Sequence, residues 1–103
     1  VIVPVGAPAP RADRPASAVL HDEPDARIVC FVLAPGQRIP PHHSDSTVIV
    51  QVIEGTGVFR GADSEATLGA GQLAVFAPGE SHGIEAGAAP LRFTAVIAPR
   101  PRA

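Results

Sequence analysis

A chain of 103 residues, 46% hydrophobic and 17% charged with a net charge of −2, has room for one domain around one core. It holds no Met, Trp, Tyr, Lys or Asn, which removes lysine Schiff bases, P-loop nucleotide binding and tyrosine acid–base chemistry. Its eight basic residues are scattered arginines and its only aromatics are four Phe, so the basic stripe and stacking rings of a nucleic-acid binder are missing.

Taken in chain order, residues 1–15 form an arm with four prolines and a β-prone start, Val1-Ile2-Val3. The spacing predicts either a free arm or an edge strand added to a partner's sheet. The start carries no basic n-region, and no uncharged run reaches the ~20 residues of a membrane span, so a cytoplasmic location and no membrane partner are expected. Strands are predicted at Ser17–Leu20, Arg27–Ala34, Thr47–Glu54, Gly57–Arg60, Glu65–Leu68, Gln72–Phe76, Gly83–Ala86 and Leu91–Ala98. Turn signals separate them, among them Pro35-Gly36, Gly55-Thr56-Gly57, Gly69-Ala70-Gly71 and Pro78-Gly79. Short β-branched runs joined by regular turns indicate an all-β sandwich or barrel over residues 16–98. Residues 99–103, with Arg100-Pro101-Arg102, read as a solvated tail. The single Cys30 excludes an intramolecular disulfide and reads as an inert thiol within its strand.

Two of these strands are apolar on both faces. Ile28, Cys30 and Val32 alternate with Val29, Phe31 and Leu33, and Val48, Val50 and Val52 alternate with Ile49, Gln51 and Ile53. A small barrel on its own shows water one face of each strand. The doubled pattern predicts a homodimer.

Three of the four histidines fall in two places. His42 and His43 follow Gly36-Gln-Arg-Ile-Pro-Pro, and His82 closes Gly71-Gln-Leu-Ala-Val-Phe-Ala-Pro78-Gly79-Glu-Ser. Strand pairing that brings His42 and His82 onto one inward face would set two imidazoles inside an apolar barrel, a reason to consider a metal. These segments resemble the paired motifs of the cupin family. Gly36, His42 and Gly55 stand at their places in its first motif, and Gly71, Gly79 and His82 at theirs in its second. The resemblance covers most of residues 27–98. It implies a double-stranded β-helix, or jelly-roll barrel, commonly dimeric, with one divalent transition metal (Mn, Fe, Ni or Zn) in its members that carry a cage.

The departures fall on that cage. Where metal-bearing cupins have a second histidine this chain has Ser44, and where they have a glutamate it has Val48. The second motif's proline is Ala77 and its asparagine is Ala86. His42 and His82 are thus the ligands that remain, and His43 joins them if a β-bulge at Pro40-Pro41 or at His43 turns it inward. Gln51 has the wrong parity to replace Val48, and the direction of Asp45 and Ser46 is open. His21 sits in a polar loop, His21–Asp25. Arg60 or Arg92 is a candidate to meet an anionic substrate. No Gly-x-Ser-x-Gly nucleophile elbow occurs, and no catalytic residue is assigned.

Two functions follow. One is a small-molecule-binding cupin that acts as a metal-dependent, dioxygenase- or isomerase-like enzyme at His42 and His82. The other is a non-catalytic ligand-binding or interaction module that has lost the cage.

Overall fold

The computed structural model describes residues 1–101; Arg102 and Ala103, the end of the expected tail, lie outside the described residues. Among the described residues nine strands follow one another: β1 (Ala16–Glu23), β2 (Ala26–Leu33), β3 (Arg38–His42), β4 (Thr47–Glu54), β5 (Thr56–Arg60), β6 (Glu65–Gly69), β7 (Leu73–Phe76), β8 (His82–Ala86) and β9 (Leu91–Ala98). They form two antiparallel sheets, one of five strands in the order β1-β2-β9-β4-β7 and one of four in the order β3-β8-β5-β6. The all-β jelly roll read from the motifs is what the chain adopts.

Strand alternation decides what the sheets enclose. Phe31 and Leu33 of β2, Leu91, Phe93 and Ala95 of β9, and Val48, Val50 and Val52 of β4 share the inward face. Phe59 and Ile84 meet them from the four-stranded sheet. Phe93 is paired in register with Phe31 on one side and Val52 on the other. Its ring stacks on Phe31 at 5.1 Å and meets Phe59 edge-on at 6.0 Å.

Two strand readings needed correction. No strand was expected at residues 38–42, because two prolines remove two backbone donors. β3 nonetheless forms, as an edge strand, where one side of the ladder needs no partner. His21 also belongs to β1, which runs on to Glu23 before a turn at Pro24-Asp25, and its Nε2 lies 3.3 Å from the Glu23 carboxylate.

The outer face of the five-stranded sheet carries a row of Ile28, Val96, Ile49 and Val75, in register across β2, β9, β4 and β7. Beside it run Cys30, Thr94, Gln51 and Leu73. Leu73 and Val75 remain more than half exposed. Residues 1–15 form no strand within this chain, and Gln37 Nε2 donates to the Arg11 carbonyl at 2.6 Å.

Candidate functional site

The site begins with an irregularity in β3. From Arg38↔Glu85 and Ile39↔Ile84, a regular ladder would set Pro41 opposite His82 and send His42 outward. The register instead slips between Ile39 and His42, so that His42 pairs with His82. This is a β-bulge over Pro40-Pro41, and it re-aims the following side chain to the barrel's inside. Gly83 makes room for it. A Cβ there would lie 3.3 Å from the Pro41 nitrogen and 3.4 Å from the Ile39 oxygen.

The two imidazoles that result are held in the same way. His42 Nδ1 lies 3.1 Å from the Pro40 carbonyl oxygen, and His82 Nδ1 lies 3.1 Å from the Glu80 carbonyl oxygen. A carbonyl only accepts, so in the neutral ring each Nδ1 carries the proton and each Nε2 keeps its lone pair. The ring centroids are 4.3 Å apart in an edge-on arrangement, and Phe76 stacks on His82 at 4.8 Å with 16° between the planes. His82 is 5% exposed, while His42 stands at the open end. Among the described residues His82 Nε2 has no hydrogen-bond partner, yet it is not one of the sealed, unpartnered polar atoms, which there are Arg27 Nε and Arg92 Nε. It opens onto the cavity.

Glu80, to which the sequence reading gave no role, sets the position of His82. Its carboxylate accepts from Ala77 N at 2.9 Å and from Ala62 N at 3.1 Å, and these bonds hold its pKa below the ordinary range. The carboxylate thereby fixes the loop whose carbonyl orients the imidazole. The loop after β3 is tied to the same place, because Gly79 N donates to the Ser44 carbonyl at 2.7 Å.

Behind the histidines lies a cavity of about 670 Å³, within the range of small-molecule sites (~300–1,000 Å³). Its inner wall is apolar, built from Phe31, Val48, Val50, Phe93, Ala95 and Ile97. Its rim is polar and includes His43, Ser44, Asp45 and Arg100. His42 and His43 are both exposed there; the bulge sets His42 opposite His82, and both His42 and His43 border the mouth. Ser46, 4% exposed, donates from Oγ to the Pro99 carbonyl at 2.6 Å, and Pro99 to Pro101 lie along the rim.

The arginines named from sequence lie elsewhere. Arg60 is exposed and bonded to Glu65 at 2.6 Å and Glu85 at 3.4 Å. Arg92 shares the outer face with Thr94, opposite the inward Phe93. Neither lines the cavity. Cys30 is fully buried on the outward side of β2, and burial pushes its thiol pKa up, as expected of an inert thiol. Gln51 also points outward, and Val48 occupies the inner wall where a glutamate ligand would be.

The donor set falls short of the cage that the motif resemblance implies. Among the described residues no group of three or more His, Cys, Asp or Glu is placed to hold a metal ion, and closed or catalytic sites use at least three protein ligands. Ser44 and Val48 supply nothing in their place.

Burial, and after it the neighbouring His42, hold the His82 pKa below the ordinary 6.5. The unfolded chain therefore binds a proton at His82 before the folded chain does, and stability falls as pH drops below about 6.5. The depressed Glu80 and Asp22 carboxylates change charge lower still, outside that window. Thermal unfolding should show a lower midpoint at pH ~5.5 than at pH ~7.5. His82→Leu should shrink the difference; an unchanged difference would place the responsible proton elsewhere.

Three comparisons bear on the chain. Its residues 29–103 match the family model described as the AraC-like ligand binding domain. No curated protein matches it. Among solved structures it is similar to a protein from Thermus thermophilus, with 29% identity, 88% of this chain and 89% of that one covered, and a TM-score of 0.83. A Klebsiella pneumoniae protein with a double-stranded beta-helix domain has 29% identity, coverage of 88% and 82%, and a TM-score of 0.81. An RmlC-like cupin protein from Desulfovibrio desulfuricans has 26% identity, 92% of both chains covered, and a TM-score of 0.82.

Proposed function

Since the chain belongs to the family of AraC-like ligand-binding domains, within the cupin superfamily, we propose that it is a binding module whose barrel takes one small organic molecule beside His42 and His82. The cavity carries this reading: about 670 Å³, apolar inside, and ending on two imidazoles with open Nε2 atoms. Burying a ring-sized apolar molecule against such a wall supplies affinity, and the imidazole end supplies orientation. The metal-dependent enzyme is the second reading, favoured by those same two Nε2 atoms. It needs further ligands from solvent or substrate, and no reaction step is assigned to it. The proposal includes a second copy of the chain on the outer row of Ile28, Val96, Ile49 and Val75, where Val75 is 57% exposed. A protein that works by binding has no need of the ligands that Ser44 and Val48 replace.

One experiment reads both parts. N-phenyl-1-naphthylamine, a neutral apolar dye, should co-sediment at one molecule per chain with a species of twice 10.5 kDa. Ala95→Leu, which fills the inner wall, should abolish the binding without unfolding the chain. Dye that binds equally to Ala95→Leu overturns the cavity assignment, and a 10.5 kDa species at micromolar concentration overturns the dimer.

A further inference from the structure

We propose that the ligand of this cavity is a hydroxylated apolar molecule, a phenol or an alcohol with a ring-sized body, whose O–H donates to Nε2 of His82 or His42. The inference rests on the binding reading above and gives the ligand its chemistry.

Hydrogen-bond inventory carries the argument. Each Nδ1 is already used as a donor to a backbone carbonyl, of Pro40 or Glu80. A neutral imidazole so bonded presents only an acceptor at its far nitrogen. The histidine end of the cavity thus offers two acceptors, on exposed His42 and buried His82, with rings 4.3 Å apart and apolar surface behind them. A ligand group placed there must donate. An ether or ketone brings a second acceptor and leaves lone pairs facing one another, which is costly away from water.

Charge narrows the class further. Among the described residues Arg60 is bonded to Glu65 and Glu85 and Arg92 is on the outer face, so neither serves the cavity. Arg100 stands at the rim and lies 3.6 Å from Asp22. A carboxylate or phosphate held against buried His82 would lose its hydration, and the one arginine that lines the cavity among the described residues already neighbours Asp22. A sugar would bring a hydroxyl to every face and meet Phe31, Val48, Val50, Phe93, Ala95 and Ile97, none of which bonds to it. One hydroxyl on an apolar body matches both halves of the site.

The test is a ligand series on the full chain with a chelator present: 4-ethylphenol, 4-ethylanisole, ethylbenzene and 4-ethylbenzoate, titrated by NMR with ¹⁵N-labelled histidine. 4-Ethylphenol should move one imidazole Nε2 signal upfield from the bare-acceptor position, and ethylbenzene and 4-ethylanisole should not. The preference for 4-ethylphenol over ethylbenzene should be about five- to tenfold larger in the wild type than in His42→Leu/His82→Leu, the worth of one hydrogen bond. The spectral readout needs no variant and stands if the double variant does not fold. Binding of the phenol with no change at either Nε2 overturns the proposal and leaves the binding reading intact. Tightest binding of 4-ethylbenzoate also overturns it, in favour of acids paired with protonated imidazole. Failure of all four, with the dye also unbound, removes the binding reading itself.

Discussion

Phe93→Ala is expected to cost about 3–5 kcal/mol of folding stability, the range for truncating a buried Phe. The ring is 1% exposed and lies on β9, the central strand of the five-stranded sheet. It stacks on Phe31 and meets Phe59 edge-on, so one truncation removes both aromatic contacts and the seam between the two sheets. It also borders the cavity, so the space it leaves joins a void already present and the neighbours have little to collapse onto. Against a total of roughly 5–15 kcal/mol for a domain, that loss decides whether the protein stays folded on warming. Urea unfolding reads it as a shift of midpoint. Val19→Ala is the control: Val19 is 58% exposed and lies outside the outer row, and its loss should stay within about 0.5 kcal/mol. A Phe93→Ala cost near that of the control would mean that the ring is not part of the seam.

Gly55→Ala should destabilise by about 3 kcal/mol or more, from two causes that act together. Gly55 is the single residue between β4 and β5, with φ at +82°, a conformation that costs an L-residue about 1–2 kcal/mol. A Cβ added there would also lie only 2.1 Å from the Pro90 carbonyl oxygen, a backbone atom that cannot swing aside as the end of a flexible side chain does. Relief requires shifting the turn against the β8–β9 loop, which leads directly into the fully buried Leu91 of β9. Gly71→Ala separates the causes. Gly71 has a similar φ of +85° with open space around its Cβ position, so that variant should bear the conformational cost alone, about 1–2 kcal/mol. Equal unfolding midpoints for the two variants would show that the contact with Pro90 is not tight.

The fold was legible because its signals are local. Gly36, Gly55, Gly71 and Gly79 all adopt positive φ, the conformation for which glycine is suited, and each stands at a turn read from the sequence. β4 and β9 were bounded to the residue by β-prone runs lying between turn signals. β3 was not, because the Pro40-Pro41 pair signals a break unless the strand lies at a sheet edge, and edge position is a property of the whole sheet. A signal did exist in Gly83, a glycine within a strand, which marks a close backbone approach.

The site divides along the same line. His42 and His82 were named from motif spacing, and the structure sets them opposite each other. Their pairing depends on a one-residue slip between β3 and β8, which strict alternation in β3 would have denied. Arg60 and Arg92 were candidates only because sequence alternation says which residues share a face and not which face is inside. Glu80 carried no recognisable pattern, since its bond to Ala62 joins residues distant in sequence.

By itself, the sequence determined that this is one turn-rich β-domain with two histidines at motif positions and without the ligands of a metal cage. Those are matters of residue identity and local conformation, which the chain carries at every step. Only the tertiary structure decided that the imidazoles face each other with their Nε2 atoms open, that the wall behind them is apolar, and that the unplaced arginines lie outside. These depend on register and on the sign of a strand's inward face. Both are set by the packing of one sheet on the other, where a slip of one residue reverses every side chain beyond it.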